Sequence, residues 1–293
     1  MMNASEARSG KSHRDENFPV ASRLIRARHR GPILAFYGFV RAADDVADHS
    51  ALAPDEKLRL LDRLEAALTG HGPSDPEAEP LRRALAERGL PPRHALDLLE
   101  AFRLDARKTR YADWSDLMGY CALSAMPVGR FVLDVHGEDP QTTWPLSDPL
   151  CAALQVINHL QDCGKDFCSL DRVYLPHANL AAHGADVEAL GAERASPALR
   201  ACLTDLAKRT DGLLEASAPF SDRIADTGLA LEVAAIHRLA VTLNAGLKRR
   251  DPLSERVHLG KAGFALIALG AAVGCLARRA VRRFPVRLSA GPA

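Results

Sequence analysis

Two acidic segments, far apart in the sequence, each place carboxylates where they would share one face of a helix. In the first, residues 37–48, polar side chains recur at intervals of three or four residues: Tyr37, Arg41, Asp44 or Asp45, and Asp48. Side chains at that spacing stack along one helical face. Asp45 lies about 100° around the helix from Asp44, so Asp44 is the better candidate to share the face.

The second segment, residues 154–176, carries two amides and two carboxylates on one predicted face: Gln155, Asn158, Asp162 and Asp166. The helix between these positions is largely apolar. A solvated polar surface would explain a single aspartate pair. Like charges one helical turn apart repel each other by roughly a few tenths of a kcal/mol, so two such pairs indicate a counter-ion.

Carboxylate pairs on two facing helices suit a hard cation that takes oxygen ligands. Mg²⁺ in particular bridges protein carboxylates to the phosphates of a substrate. His49 adjoins Asp48, but the other candidate ligands are all oxygens, and His49 is left out of the predicted site. The pattern therefore predicts a magnesium site that binds a phosphorylated substrate.

The composition is that of a globular protein without a nucleic-acid partner. The 293 residues carry a formal net charge of +1, and 47% of them are hydrophobic, enough for a sizeable core. No stretch alternates basic with aromatic residues, which argues against nucleic-acid binding. The six cysteines form no CxxC pair and show no zinc spacing, so we expect reduced thiols in a cytoplasmic protein.

Helical periodicity dominates the chain, and strand alternation is scarce. The pattern predicts a helix over residues 20–29 that ends at Arg30-Gly31-Pro32, a first acidic helix over 33–49 and a second over 149–167. No repeat or composition break divides the chain. We therefore predict a single all-α domain, an architecture in which inward-pointing carboxylates commonly bind metals.

The two ends of the chain are predicted to lie outside this domain. The polar first nineteen residues contain no recognisable signal peptide. We expect a disordered tail over residues 1–15, the domain over 16–284 and a second tail over 285–293.

Between the two acidic segments lies a predicted helix that is crowded with small residues. Ser115 is expected to cap it and Pro127 to interrupt it. Small residues allow a ligand or another backbone to approach closely. Tyr120 and Arg130 are its polar members of interest, and Tyr120 is either a core aromatic with a satisfied hydroxyl or part of a site.

The last predicted helix, residues 260–283, has no charged residue between Ala262 and Ala277. Such a stretch falls short of the roughly 20 residues that a membrane span needs, so a buried core helix is the favoured interpretation. A basic flank follows and would permit peripheral membrane contact: Arg278, Arg279, Arg282 and Arg283.

Taken together, these motifs resemble those of the squalene/phytoene synthase family, which joins or rearranges isoprenoid diphosphates within an all-α fold. The likeness covers roughly residues 17–258. The first aspartate motif of the family, preceded by Tyr and Arg, matches Asp44 and Asp48. The second, preceded by Gln and Asn, matches Asp162 and Asp166. Three further matches follow the order of the family: Phe18 on an N-terminal flap, Tyr120-Cys121, and the residues Arg172, Tyr174, Leu175 and Pro176.

Two features depart from the usual pattern of the family. Gln161 and Lys165 stand near the second motif where the family often has Arg and Glu, and the central helix has Ser124-Ala125-Met126-Pro127 instead of Ala-Gly. Together with ENFPVASRL near the N-terminus, these features resemble a bacterial branch of hopanoid pathways. That branch converts presqualene diphosphate and water to hydroxysqualene.

The resemblance implies a metal site and catalytic residues. Two or three Mg²⁺ ions would be held by Asp44, Asp48, Asp162 and Asp166, with Asn158 assisting. The residues implied in catalysis are Tyr37, Arg41 and Tyr120.

The resemblance also implies a set of side chains that bind the substrate. Lys165 belongs to this set if it contacts the diphosphate, although a solvated position off the acidic face is equally open. The implied set is Phe18, Arg41, Tyr120, Arg130, Gln155, Asn158, Lys165 and Arg172.

For cofactors and partners, the resemblance implies an isoprenoid diphosphate substrate and Mg²⁺, with no NADPH. It allows hand-over from a presqualene diphosphate synthase and a peripheral position at the inner membrane. Two alternatives stay open. One is a squalene, presqualene diphosphate or phytoene-type synthase that acts on farnesyl or geranylgeranyl diphosphate. The other is a non-catalytic helical relative.

Overall fold

A computed structural model describes residues 24–283, and helices account for most of this region. The strand-type pairing within it is one isolated bridge between Arg110 and Val173. The prediction of an all-α fold is confirmed. The elements are α1 (Ala27–Asp48), α2 (Pro54–Thr69), α3 (Glu79–Arg88), α4 (Arg93–Asp105), α5 (Trp114–Ser124), α6 (Met126–His136), α7 (Pro140–Leu170), α8 (His177–Ala182), a 3-10 turn (Val187–Gly191), α9 (Pro197–Ser217), α10 (Phe220–Arg223), α11 (Thr227–Leu247) and α12 (Lys261–Arg283).

The first acidic stripe, formed by Tyr37, Arg41, Asp44 and Asp48, lies on α1. This helix is longer than predicted. The predicted break at Pro32 is wrong, because α1 runs through this residue without interruption. Proline lacks the N–H that would bond the carbonyl of Arg28, four residues earlier. The guanidinium of Arg88, on α3, donates to that carbonyl instead. A tertiary contact thus replaces the missing helical bond, and the chain continues as one helix to Asp48.

The second stripe, formed by Gln155, Asn158, Asp162 and Asp166, lies on α7. This helix begins nine residues before the predicted start and contains Pro145 and Pro149. Its N-terminus is defined by Pro140 at the first helical position and by Asp139, whose side chain accepts a bond from the backbone N–H of Gln141. Packing against α6, α9 and α11 supports the helix through both internal prolines. The helix ends at Leu170, and the next residue, Asp171, adopts a left-handed conformation with φ of 50°.

The small-residue segment forms two helices, α5 and α6, that meet at Ala125, so the interruption predicted from Pro127 is confirmed. The cap is Asp113 rather than Ser115, because the carboxylate of Asp113 accepts from the backbone N–H of Asp116. On α6, a Cβ at Gly129 would lie 2.3 Å from the Ser147 hydroxyl of α7. Glycine at this position therefore lets the two helices approach closely.

One hydrophobic core joins the helices, and α7 passes through it in contact with α5, α6, α9 and α11. The prediction that the last helix is buried is wrong: only 6% of its apolar stretch is buried. Helix α12 packs on the outer side of α11, and Cys275 is its buried anchor. Periodicity alone could not reveal this, because an apolar helix has the same pattern in a core and on a surface.

Candidate functional site

Arg41 holds two carboxylates of the first stripe on α1. Its Nη1 donates to Oδ2 of Asp44 and its Nη2 to Oδ1 of Asp45, each at 2.9 Å. Asp45 is buried, whereas Asp44 keeps about a third of its side chain accessible (32%). Asp45 is therefore the internal anchor of the guanidinium, and Asp44 is the carboxylate that remains accessible.

Asp48, the last carboxylate of the first stripe, is paired with Arg172, which follows the second stripe in the sequence. Nη1 of Arg172 donates to Oδ1 of Asp48 at 2.8 Å. Arg172 is buried, and the backbone N–H of the next residue, Val173, bonds the carbonyl of Thr109 at 2.9 Å. The segment after α7 is thereby fixed beside the end of α1. Two motifs that are 124 residues apart in the sequence thus meet at this ion pair.

A buried carboxylate that the sequence reasoning missed, Asp105, organises the site. It accepts hydrogen bonds from the hydroxyls of Tyr120, at 2.8 Å, and Tyr174, at 3.0 Å. Its backbone carbonyl accepts from Nη2 of Arg172 at 3.3 Å. Asp105 is the last residue of α4, where the helix dipole disfavours an acidic side chain. That unfavourable position was the signal in the sequence that Asp105 has a specific partner.

Aromatic rings pack around Asp105. The imidazole of His159 stacks on the ring of Tyr174 with centroids 3.6 Å apart, and Tyr111 and Tyr120 lie within 5.5 Å of the same ring. Burial and the charge of Arg172 lower the pKa of His159 to about 3, so its ring is neutral. Burial raises the pKa of Tyr120 well above its usual value, and its hydroxyl keeps its proton. The cluster therefore presents uncharged ring faces beside the charged groups.

Asp48 acts electrostatically on a carboxylate of each stripe, so Asp44, Asp48, Asp162 and Asp166 lie in one region, which we call the acidic cleft. Burial and the charge of Asp48 raise the pKa of Asp44 to about 7. Burial and the charge of Asp162 raise the pKa of Asp166 to about 7 as well, and Asp48 contributes to this shift from the other stripe. Asp48 therefore lies near carboxylates of both stripes.

Such a cleft fits divalent cations that arrive with a phosphorylated ligand. Among residues 24–283, no three His, Cys, Asp or Glu side chains converge into a ready-made metal cage. Mg²⁺ does not need one, since it is commonly held by one or two carboxylates, waters and the phosphates of a substrate. The partly accessible carboxylates of Asp44 and Asp48 offer the oxygen donors that such binding uses.

The other predicted site residues differ in their burial and in their position along α1, α5 and α7. Gln155 and Asn158 are half-buried on α7, on the segment that leads to Asp162. Lys165 is exposed, and its charge lowers the pKa of the neighbouring Asp166 carboxyl. Tyr37 is half-buried on α1, one turn before Arg41, and Tyr120 belongs to the cluster around Asp105.

One predicted residue, Arg130, is not brought to this cleft by the described structure. Arg130 donates from Nε to Oδ1 of Asp148 at 2.8 Å, and its guanidinium lies 5.0 Å from the ring centre of Trp144. Both partners lie in the first half of α7, before the acidic stripe. Phe18 lies outside residues 24–283, as do the predicted tails.

A third cation, Lys57 on α2, lies beside the pair formed by Arg172 and Asp48. Its Nζ donates to the carbonyl of Ala47 at 2.7 Å. Burial and the nearby charge of Arg172 lower the pKa of Lys57. The sequence reasoning missed this residue because Lys57 looks like any surface lysine of an amphipathic helix.

Comparisons of the sequence with known proteins agree on one family. Residues 11–262 match the family described as Squalene/phytoene synthase. Over 286 residues the chain is 58% identical to the hydroxysqualene synthase of Rhodopseudomonas palustris, a match that covers 98% of each chain. It is 50% identical to the hydroxysqualene synthase of Zymomonas mobilis over 94% of this chain and 93% of that one.

Solved structures share the fold. The crystal structure of squalene synthase HpnC from Alicyclobacillus acidocaldarius superposes with a TM-score of 0.65 at 30% identity, over 90% of this chain and 87% of that one. A dehydrosqualene synthase in complex with a ligand superposes with a TM-score of 0.73 at 22% identity, over 90% and 93% of the two chains. The second likeness is one of fold alone.

Proposed function

The chain belongs to the squalene/phytoene synthase family and is an enzyme of that family. We propose that it converts presqualene diphosphate and water to hydroxysqualene and diphosphate. The reaction depends on Mg²⁺, as two or three ions, and belongs to hopanoid biosynthesis. The catalytic domain spans residues 16–284. Relatives at 50–58% identity along nearly the whole chain are named hydroxysqualene synthase, which supports this choice within the family.

The observation that carries the proposal is the shared acidic cleft of α1 and α7. Asp44 and Asp48 from one helix and Asp162 and Asp166 from the other would hold the metal, with Asn158 assisting. When bound, Mg²⁺ supplies Lewis-acid stabilisation of the charge that grows on the leaving diphosphate. Arg41 adds a fixed positive charge at the same end of the cleft.

The chemistry needs no redox partner. The carbon–oxygen bond of presqualene diphosphate breaks heterolytically, and its electron pair leaves with the diphosphate. The cyclopropylcarbinyl cation rearranges, a water oxygen attacks it, and that water loses one proton. No hydride is transferred, so we expect no requirement for NADPH.

The cation needs a dry pocket lined by aromatic faces. The hydroxyl of Tyr120 is committed to Asp105, so the group that this residue offers is its ring. Tyr37 and Phe18 are the other proposed aromatic residues. Arg172 acts through Asp48, which it positions. Gln155 and Lys165 are proposed to contact the substrate at the acidic cleft, and Arg130, which pairs with Asp148, is proposed to contact it farther along α7.

The attacking water requires one polar position in the otherwise apolar pocket. Gln155, Asn158 and Ser124 are the candidates, and the hydroxyl of Ser124 is buried with no hydrogen-bond partner in the described structure. Ser124→Ala should therefore shift the products away from the alcohol while substrate consumption persists. An unchanged product ratio would move the assignment to Gln155 or Asn158.

The test of the reaction uses purified protein with presqualene diphosphate and Mg²⁺, with and without NADPH, followed by analysis of the C30 products. Hydroxysqualene in both reactions supports the proposal. Squalene that forms only with NADPH would make the chain a squalene synthase. Consumption of farnesyl or geranylgeranyl diphosphate to presqualene diphosphate or a phytoene-like product would assign it to condensation. Diphosphate binding without turnover would indicate a non-catalytic relative.

We propose a cytoplasmic enzyme that works at the inner membrane, since substrate and product are C30 lipids. Hand-over from a presqualene diphosphate synthase follows from the same chemistry. Adding such an enzyme with its substrate should yield hydroxysqualene without free presqualene diphosphate accumulating.

A further inference from the structure

The outward face of α12 is apolar along nearly its whole length. Successive turns expose Leu266, Leu269, Val273 and Leu276, with 71% of Leu266 and 63% of Leu269 accessible. The helix carries no charged residue between its first position and Arg278. A surface helix normally places charged and polar residues on its outer face. A continuous apolar surface instead marks an interaction site.

The opposite face of α12 is fixed to the body of the protein. The Sγ of Cys275 is buried and lies 3.8 Å from the carbonyl oxygen of Ala230 on α11. Near the end of the helix, Arg279 donates to the carbonyl of Ile224 at 2.8 Å. The helix therefore lies flat against α11. Crossing a membrane would require α12 to leave these contacts.

The charges of α12 all have one sign. The segment Lys261–Arg283 contains five basic residues and no acidic one, and the basic residues lie at its two ends. Such a helix complements an anionic surface. A symmetric dimer through this face would instead bring two sets of positive charges together without a compensating acid from either helix.

We propose that the face of α12 formed by Leu266, Leu269, Val273 and Leu276 docks on an anionic lipid bilayer, with the helix axis in the membrane plane. The choice of a bilayer rests in part on the proposed function, because a C30 lipid diphosphate is taken from a membrane. The binding energy comes from burial of the apolar face, and the net positive charge of the helix favours an anionic surface.

This assignment differs from the expectation that the arginines at positions 278–283 make the contact. Nε of Arg278 pairs with Oδ1 of Asp222 at 3.1 Å, and Arg279 is held by backbone carbonyls. These two side chains therefore secure α12 to the protein. Leu266 and Leu269, which are exposed over most of their surface, are left to meet the lipid.

The experiment compares two double variants of the full chain. Leu266→Gln with Leu269→Gln makes the face polar, and Leu266→Ile with Leu269→Ile is the matched control that keeps it apolar. Each protein is sedimented with vesicles of phosphatidylcholine alone or of equimolar phosphatidylcholine and phosphatidylglycerol. We expect the wild type and the isoleucine control to bind the anionic vesicles, and the glutamine variant to bind them about tenfold or more weakly. Circular dichroism should show equal helix content in all three.

Three outcomes would overturn the proposal. The first is a wild type that does not sediment with anionic vesicles, and the second is a glutamine variant that binds like the wild type. The third is bound protein that resists extraction with alkaline carbonate, because it would then span the bilayer. A dimer that the glutamine variant dissociates, without vesicle binding by any protein, falls under the first outcome and would identify a second copy as the occupant.

Turnover of presqualene diphosphate in detergent micelles separates this inference from the proposed function. If the glutamine variant turns over the substrate like the wild type but loses vesicle binding, α12 is a membrane surface and is not needed for the chemistry. If no protein turns over the substrate, the proposed reaction fails, and the vesicle measurement still decides the role of α12.

Discussion

Arg172 and Asp48 join the two acidic motifs through a hydrogen bond of 2.8 Å between Nη1 and Oδ1. The arginine is buried, and the carboxylate is 41% accessible, so the pair lies at the edge of the cleft. Burial by itself would lower the pKa of Arg172, but the neighbouring Tyr174, Asp105 and Asp48 raise it, and the group stays charged. Arg172 therefore sets the position of a carboxylate that we propose as a metal ligand.

The first prediction concerns this pair. Arg172→Met should lower the free energy of unfolding by about 1 to 2 kcal/mol, a value discounted for the accessibility of Asp48, because Asp105 loses its buried counter-charge. Activity should fall about 100-fold or more. Arg172→Lys keeps the charge but loses the planar fork, so it should be intermediate in activity. Urea unfolding and steady-state kinetics of the three proteins check this, and equal kinetics for Arg172→Met would remove the positioning role.

The second prediction concerns the proposed metal ligands. Asp48→Asn and Asp162→Asn each remove one anionic oxygen from the cleft and should each lose about 100-fold or more in rate. Helical circular dichroism should persist in both. Asp62→Asn is the matched control, since Asp62 lies on α2 with 65% of its side chain accessible, and it should retain full activity. Full activity in either cleft variant would contradict the metal assignment.

The third prediction concerns Lys165, which is exposed beside Asp166. Its positive charge favours the ionised form of that carboxylate. Lys165→Glu replaces this charge with a negative one and should shift the Mg²⁺ concentration that gives half-maximal rate. Lys165→Gln, which is neutral, should shift it less in the same direction. Superimposable Mg²⁺ titrations of the three proteins would show that Lys165 is a solvated surface residue.

The fourth prediction is a dependence of stability on pH. Burial raises the pKa of Asp105 to about 6, above the value of roughly 4 expected in the unfolded chain. The folded protein therefore holds more protons than the unfolded chain between these values, and this contribution to stability is lost as pH rises through them. Asp105→Asn removes the titrating group.

The measurement is urea unfolding at about pH 4.5 and at about pH 6.5. Between these two pH values, the free energy of unfolding of the wild type should change by about 1 to 2 kcal/mol more than that of Asp105→Asn. The exposed Asp62→Asn control should follow the wild type. If the Asp105→Asn and wild-type slopes coincide, Asp105 does not titrate in this range.

The helical architecture and the chemistry of the two stripes could be predicted from local sequence patterns. Hydrophobic periodicity predicts one helix from Pro197 to about Ala216 and another from Thr227 to Leu247, and the observed helices are Pro197–Ser217 and Thr227–Leu247. The three- and four-residue spacing placed Asp44 with Asp48, and Asp162 with Asp166, because helical geometry alone fixes which side chains share a face.

Three other features depend on residues that are distant in sequence and are visible only in the folded protein. Helix α1 continues through Pro32 because Arg88, from another helix, bonds the carbonyl that proline leaves free. Asp105 acquires its role only where Tyr120 and Tyr174 converge on it. Helix α12 packs on α11 and stays largely exposed, which the sequence could not predict because local pattern carries no information about what packs against a helix.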